Sequence, residues 1–230
     1  MTQPATARGD FRILIIEDHV LFAESLELAL TLEGYDARRV PVPTDERGAG
    51  ALVAAMVRLR PRVILLDLDL GAFGDGLRLI PMLAKSGANV VVVTASTDRG
   101  RWGEAIWLGA RKVLPKSRPL NEILAAVRKI NNSLPVMGYE EREELLALWR
   151  HKRVERAGRQ ECFDKLTVRE RQVLAQLMRG RTVRDIARDS VVSEATVRTQ
   201  VKSILAKLNV TSQLAAVGLA HDIDWQYHEL

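Results

Sequence analysis

Five short apolar runs alternate with amphipathic stretches over the first 130 residues, and this alternation constrains the fold more than any other feature. The central runs are apolar almost throughout, as in VILLDL at 63–68 and VVVV at 90–93, instead of alternating with polar residues. A strand that is apolar on both faces is buried on both faces, as in a parallel sheet covered by helices. The predicted strands are 11–16, 35–40, 63–68, 90–93 and 111–114.

The runs and the helical stretches between them form five βα units. They predict an α/β domain of the flavodoxin-like, doubly wound (βα)5 type over residues 11–131, preceded by a disordered tail at 1–10. NNSLP breaks the last helix of this domain, and the highly charged segment that follows it, Glu140–Arg156, predicts a linker helix within 132–165. Residues 166–222 predict an all-α helix-turn-helix domain, followed by a C-terminal tail at 223–230.

Composition and charge exclude several classes of protein. The chain has 230 residues, with 34 Lys and Arg against 29 Asp and Glu, and a net charge of +5. The basic excess is densest at 166–208, which indicates a polyanionic partner or, equally, a solvated helix surface. The single cysteine, Cys162, excludes an internal disulfide framework, and no apolar run approaches the ~18 residues of a membrane span. We expect a cytoplasmic protein that does not bind membranes.

Polar side chains stand at the carboxyl ends of four predicted strands. They are Glu17 and Asp18 after the first strand, Asp67 and Asp69 at the third, Thr94 at the fourth and Lys116 after the fifth. In a parallel sheet these ends share one edge, so we expect the side chains to meet there. Clustered carboxylates repel one another unless a cation joins them, and oxygen ligands suit Mg²⁺. A metal-bound carboxylate can attack a phosphoryl group. The metal, the lysine ammonium and the threonine hydroxyl can then bind the phosphoryl oxygens.

These residues, with the segments DLDLGAFGDG and GARKVLPKS, resemble the receiver domain of bacterial two-component response regulators. The resemblance implies that Asp67 accepts a phosphoryl group from a sensor histidine kinase. It also implies that Glu17, Asp18 and Asp67 bind Mg²⁺ together with the backbone carbonyl of Asp69.

The resemblance extends to the residues that respond to phosphorylation. It implies that Lys116 pairs with the phosphoryl group and that Thr94 moves to hydrogen-bond it, which repacks the surface around the fourth helix, the fifth strand and the fifth helix. Val113 stands where such receivers often carry Tyr or Phe as the rotating half of this switch.

Another class of protein uses some of the same residue types. Mg²⁺-dependent phosphatases of the haloacid-dehalogenase type place Asp-x-Asp after an apolar strand, then Thr or Ser, then Lys. Asp67 would then be the nucleophile and Asp69 the general acid. Their further acids follow the lysine, whereas in this chain the acid pair precedes the nucleophile strand. We therefore expect a receiver and not an enzyme.

Capping residues divide the basic C-terminal segment into helices. Thr167 forms a capping box with Glu170, Thr182 caps a second helix, and Ser193 caps a third. The second and third helices are joined by a short turn, which is the arrangement of a helix-turn-helix. The residues predicted to point outward on the third helix are Thr196, Arg198, Thr199, Lys202 and Lys207. Long cationic side chains there can reach base edges or phosphates.

This segment closely resembles the LuxR/NarL-type DNA-binding domain. The matching positions are Leu166–Thr167, Arg169–Glu170, Gly180, Ile186–Ala187, Ser193, Thr196–Val197, Val201–Lys202, Ile204 and Lys207–Leu208. The resemblance implies that the third helix enters the major groove of double-stranded DNA. Arg198, Thr199 and Lys202 then occupy the base-contacting positions.

The same resemblance implies that a fourth helix pairs two modules on an inverted repeat through Leu214, Ala215 and Val217. The whole chain is therefore predicted to be a NarL/LuxR-type response regulator, a transcription regulator that is a homodimer when active and is switched at Asp67. The alternative is an orphan regulator that binds DNA without phosphorylation, and Val113 is the feature that favours it.

Overall fold

The computed structural model describes most of the chain. The disordered tail predicted at 1–10 lies outside the described residues, as do 224 and 228–230 of the predicted C-terminal tail. The residues that the structure describes are 11–42, 48–223 and 225–227.

The first part of the chain folds around a five-stranded parallel sheet, which confirms the predicted α/β fold class. The strands lie in the order β2-β1-β3-β4-β5, and this order reverses direction beside β1, where doubly wound sheets form a crevice. The strands are β1 (Arg12–Ile16), β2 (Asp36–Arg39), β3 (Val63–Leu66), β4 (Asn89–Thr94) and β5 (Lys112–Pro115). The helices around them are α1 (Val20–Leu32), α2 (Ala49–Arg58), α3 (Ile80–Lys85), α4 (Arg99–Leu108) and α5 (Leu120–Asn131).

The two covered faces of the sheet explain why its central strands, β1, β3 and β4, are mostly apolar. Alternate strand residues enter two separate buried clusters, one on each face. In β3, Ile64 and Leu66 belong to one cluster, whereas Val63 and Leu65 belong to the other. Because both faces are covered, polar side chains from the strand ends are collected at the edge of the sheet.

The chain divides into two compact units, Met1–Arg150 and His151–Leu230. The next helix, α6 (Tyr139–Asp164), crosses this division, so about its first three turns belong to the first unit. Leu145 and Leu146 on these turns are buried in the same cluster as Val113. Part of the segment predicted as a linker therefore packs within the first unit.

The second unit is helical, and its helices begin at the predicted caps. Thr167 and Thr182 form capping boxes with Glu170 and Asp185, and the Ser193 side chain accepts a backbone N–H of the third helix. None of the helices within the described residues is both long enough and apolar enough to cross a membrane. The helices are α7 (Val168–Met178), α8 (Val183–Asp189), α9 (Glu194–Lys207) and α10 (Gln213–Asp222).

Glu170 joins the start of α7 to the second half of α9. Its Oε1 accepts a hydrogen bond from the Ser203 hydroxyl at 2.6 Å, and its Oε2 accepts hydrogen bonds from Lys207 Nζ at 2.6 Å and the Thr167 N–H at 2.7 Å. Burial alone would raise the pKa of Glu170, but these hydrogen bonds lower it to about 2. Lys207, predicted to face DNA, is thus held by an ion pair inside the unit.

We expect Glu170→Gln to lower the free energy of unfolding of the second unit by about 1–3 kcal/mol at neutral pH, because its hydrogen bonds lose their charge. The folded-state pKa of Glu170 lies below its ordinary value of 4.5. The stabilisation is therefore complete above that value and is lost as the pH falls toward 2. Urea unfolding at several pH values measures the difference from wild type.

The matched control for this prediction is Glu194→Gln, at the exposed start of α9, where Glu194 pairs with Arg198. Its effect should stay within about 0.5 kcal/mol, because exposed ion pairs contribute little. If the difference between wild type and Glu170→Gln is the same at acid and neutral pH, the ion pair does not have the role assigned to it.

Candidate functional site

Three of the predicted residues form one hydrogen-bonded group at the carboxyl edge of the sheet. Asp67 directly follows β3 and is 2% exposed, and its N–H donates to the carbonyl of Ile16 at 2.9 Å. Lys116, directly after β5, places Nζ 2.7 Å from Asp67 Oδ2 and 2.7 Å from a carboxylate oxygen of Glu17. Asp18 follows Glu17 at the surface. One ammonium therefore bridges carboxylates that follow β1 and β3.

The electrostatics of this group favour a bound cation. Burial raises the pKa of Glu17, and the Asp67 charge raises it further, against the opposing hydrogen bonds from Lys116 and from the His19 N–H. For Lys116, burial alone would lower the pKa, but hydrogen bonds to Asp67 and Glu17 raise it, so the ammonium stays charged. One ammonium faces three carboxylates once Asp18 is counted. The resulting excess of negative charge is what a divalent cation would balance.

The donor atoms fit Mg²⁺. Carboxylate oxygens of Glu17, Asp18 and Asp67 lie within 4.8 Å of one another. Gly71 has φ +54°, and a Cβ there would lie 2.9 Å from Asp18 Oδ2, so the glycine leaves room for this carboxylate. Among the residues that the structure describes, none donates a hydrogen bond to the backbone carbonyl of Asp69. Carboxylate and carbonyl oxygens are the ligands that Mg²⁺ prefers.

His19, at the start of α1, also belongs to this cluster. Its Nδ1 lies 2.9 Å from Asp18 Oδ1 and 3.1 Å from Glu17 Oε1. Its backbone N–H donates to the same Glu17 oxygen at 3.0 Å. The position of His19 directly after the acid pair was the only sequence signal for this contact.

Arg101 is a residue of this site that the sequence did not identify. It lies in the first turn of α4, and its guanidinium donates to Asp69 Oδ1 at 3.0 Å, to Asp75 Oδ1 at 2.9 Å and to the Leu68 carbonyl at 3.2 Å. Arg101 thus holds the loop that follows Asp67. No sequence signal identifies this contact, because Arg101 is on a helix and not at the end of a strand.

Thr94, at the end of β4, is fully buried, and its Oγ1 accepts the backbone N–H of Ser96 at 3.1 Å. The backbone N–H of Lys116 donates to the carbonyl of Thr94 at 2.8 Å, which joins the ends of β4 and β5. Val113 on β5 is 4% exposed and packs in the core. Its side chain is therefore held in place and supplies no rotating aromatic ring.

Helix α9 exposes most of its predicted DNA-facing residues. Thr196, Arg198, Thr199 and Lys202 are exposed, whereas Lys207 is only partly exposed. Arg198 pairs with Glu194 on the same helix at 3.2 Å, and Thr196 and Thr199 bond locally. Lys202 makes no hydrogen bond or ion pair with any residue that the structure describes. Of the two lysines, Lys202 thus has its ammonium directed to solvent, and Lys207 supports the helix.

The residues predicted to pair two modules lie on α10. Leu214 is 82% exposed and Ala215 is also exposed, while Val217 packs partly against the core of its own unit. Two of the three predicted contact residues therefore face solvent.

Two protein-family models match the chain. The model described as "Response regulator receiver domain" matches residues 13–128, and the model described as "Bacterial regulatory proteins, luxR family" matches residues 164–220. The first range contains the whole acidic edge of the sheet, and the second contains α7, α8 and α9.

Relatives of similar length match nearly the whole chain. The glycerol metabolism activator of Pseudomonas putida is 30% identical over 217 residues, covering 94% of this chain and 97% of that protein. The transcriptional regulatory protein LiaR of Bacillus subtilis is 29% identical over 213 residues, covering 91% and 96%. The nitrate/nitrite response regulator protein NarP of Escherichia coli is 30% identical over 211 residues, covering 91% and 94%.

Among solved structures, the RcsB response regulator of Salmonella typhimurium is 19% identical with a TM-score of 0.47, covering 93% of this chain and 99% of that chain. The two family models match successive parts of the chain, and the relatives match it over nearly its whole length. The chain therefore belongs to the NarL/LuxR-type response regulators, the transcriptional regulators of two-component systems that join a receiver domain to a LuxR-type DNA-binding domain.

Proposed function

We propose that Asp67 is the phosphoacceptor through which a sensor histidine kinase switches the DNA-binding activity of this protein. The observation that carries this proposal is the placement of Asp67 at the end of β3, nearly buried and 2.7 Å from Lys116 Nζ. A phosphoacceptor needs a fixed carboxylate and fixed positive charge for the incoming phosphoryl oxygens. Asp67 and Lys116 meet these requirements.

The acidic residues around Asp67 have a second task. Glu17, Asp18 and Asp67, with the backbone carbonyl of Asp69, would hold Mg²⁺, which when bound offsets the charge of a phosphoryl group. Their close grouping and the room left by Gly71 support this assignment.

Lys116 and Thr94 respond to the phosphoryl group in different ways. Lys116 already donates to the Asp67 carboxylate and is placed to donate to a phosphoryl oxygen after transfer. The Thr94 hydroxyl accepts the Ser96 N–H and has its own proton free to donate when it turns toward the phosphoryl group.

Uptake of one phosphoryl group per chain is favoured over turnover of small phosphomonoesters. A phosphatase of the haloacid-dehalogenase type would need the Asp69 carboxyl as a general acid. In this structure that carboxylate is paired with Arg101 at 3.0 Å. We therefore propose that the protein is a phosphorylated regulator and not an enzyme.

Asp67→Asn should abolish labelling by acetyl phosphate in the presence of Mg²⁺, because an amide is not a competent nucleophile. Intact-protein mass spectrometry measures the added phosphoryl group. Asp36→Asn is the matched control, since Asp36 lies on β2 and pairs with Arg12 and Arg38, so wild-type labelling is expected. Undiminished labelling of Asp67→Asn would remove Asp67 from its role.

For the second unit we propose that α9 enters the major groove of double-stranded DNA. The exposed positions of Arg198, Thr199 and Lys202 support base contacts, and Thr196 lies near the start of the same helix. Lys207 then acts by holding α9 through Glu170. We also propose that the protein acts in the cytoplasm, which is consistent with a DNA partner and a kinase donor.

Lys202→Ala should weaken binding to a site selected from random DNA by the wild-type protein, by about 1–3 kcal/mol, with a smaller loss on unrelated DNA. Fluorescence anisotropy at fixed salt measures both affinities. Lys129→Ala on α5 is the control and should bind DNA as wild type does. An equal loss on both DNAs would make Lys202 a phosphate contact, and no loss would exclude it from the interface.

We propose that the active form is a homodimer on an inverted repeat, with Leu214, Ala215 and Val217 of α10 at the contact. Two linked modules bind with a high effective concentration at the second half-site, which raises affinity without a new DNA contact. The exposure of Leu214 and Ala215 supports this contact.

Sedimentation with beryllofluoride and Mg²⁺ should convert wild type from monomer to dimer, and Leu214→Glu should shift this equilibrium back toward monomer. A protein that stays monomeric while its DNA affinity rises would contradict dimerisation as the switch. DNA affinity that does not respond to beryllofluoride would favour the phosphorylation-independent regulator instead.

A further inference from the structure

Three consecutive residues of α4 contact three different parts of the first unit. Arg101 donates hydrogen bonds to the loop after Asp67, and Trp102 donates one to the loop after Thr94. Gly103 packs directly against α6. A single turn of helix therefore touches both loops of the proposed phosphorylation site and the helix that leaves the receiver.

The loop held by Arg101 is closed on itself. The Gly76 N–H donates to the Leu68 carbonyl at 2.8 Å, and the Leu70 N–H donates to the Gly74 carbonyl at 3.1 Å. Arg101 adds its contacts to Leu68, Asp69 and Asp75 on the outside of this loop. The loop and the first turn of α4 are thus tied together by charge-assisted hydrogen bonds.

Trp102 connects α4 to the proposed switch threonine. Its indole Nε1–H donates to the Ser96 carbonyl at 2.9 Å, and the Ser96 N–H donates to Thr94 Oγ1 at 3.1 Å. A Thr94 hydroxyl that turns toward a phosphoryl group changes the partner of the Ser96 N–H. Ser96 is thus bonded to Thr94 through its N–H and to Trp102 through its carbonyl.

Gly103 leaves no space between α4 and α6. A Cβ at Gly103 would lie 2.0 Å from the Leu145 carbonyl oxygen and 2.8 Å from Trp149 Cβ. Leu145 is 2% exposed, and the rings of Trp107 and Trp149 stack with centroids 4.6 Å apart. Because backbone lies directly on backbone, a shift of α4 cannot be absorbed by side-chain rearrangement alone.

Two ion pairs surround this contact. Arg99 at the start of α4 pairs with Glu144 of α6 at 3.0 Å, and Lys112 of β5 pairs with Glu141 at 2.6 Å. The first turns of α6 are thus fixed to α4 and β5 by packing and by charge.

We propose that Arg101, Trp102 and Gly103 form the coupling element of this receiver, which carries a change at Asp67 and Thr94 to the first turns of α6. This inference rests on the proposed phosphorylation of Asp67. Trp102 then provides, through Ser96, a link to the switch threonine that Val113 does not provide. Phosphorylation loosens α6 over residues 139–150, the part of the helix that leads covalently into the second unit.

Hydrogen–deuterium exchange on the full chain tests this coupling. In wild type, beryllofluoride with Mg²⁺ should speed exchange of amides in 141–150 by about fivefold or more. Trp102→Phe keeps an aromatic ring but removes the indole N–H donor, and it should reduce this increase to less than about twofold. Labelling of Asp67 by acetyl phosphate should remain at the wild-type level. Trp225→Phe, in the second unit, is the matched control and should show the full response.

A second variant changes the packing contact between Gly103 and α6. Gly103→Ala should give fast exchange in 141–150 without beryllofluoride, because the added methyl group displaces the Leu145 carbonyl. A full beryllofluoride response in Trp102→Phe overturns the proposal. So does an unchanged α6 in wild type that has been labelled at Asp67. Failure of wild type to take up label at all contradicts the proposed function instead, and with it the premise of the coupling.

Discussion

The bridge that Lys116 forms between Glu17 and Asp67 is the interaction on which the receiver depends. Its three members follow β1, β3 and β5, so they meet only when these strands pair in the observed order. The apolar residues beneath bury both faces of the sheet and fix the strand ends in place. The bridge leaves a surplus of negative charge, and this surplus is what makes the edge suitable for a divalent cation and then for a phosphoryl group.

Much of this edge could be predicted from the sequence, because short apolar strands identify the sheet and the sheet brings its carboxyl ends together. Capping was equally readable, since Thr167 and Ser193 act over only three residues. Arg101 could not be predicted in the same way. Its contacts with Leu68 and Asp75 join segments distant in sequence, and helical periodicity shows only which face of a helix is exposed.

Helix α9 shows a related limit of sequence reasoning. Helical periodicity predicts that Lys202 and Lys207 both point outward, yet Lys207 forms an ion pair with Glu170 of α7 and Lys202 does not. The difference depends on how two helices pack, and no pattern within one helix reveals it. The same reasoning applies to α6, whose charged sequence indicates a linker although Leu145 and Leu146 complete the core of the receiver. Sequence thus predicts elements and their caps better than it predicts the contacts between elements.

A crystal structure of the protein with Mg²⁺ and beryllofluoride tests the phosphoacceptor role of Asp67. We expect beryllium bonded to an Asp67 carboxylate oxygen, with Lys116 Nζ and Thr94 Oγ1 each about 3 Å from a fluoride. Mg²⁺ should lie among Glu17, Asp18 and Asp67. Beryllofluoride bound elsewhere would exclude Asp67 as the phosphoacceptor, and a Thr94 hydroxyl that keeps its contact with Ser96 in the fully occupied complex would exclude Thr94 as the switch.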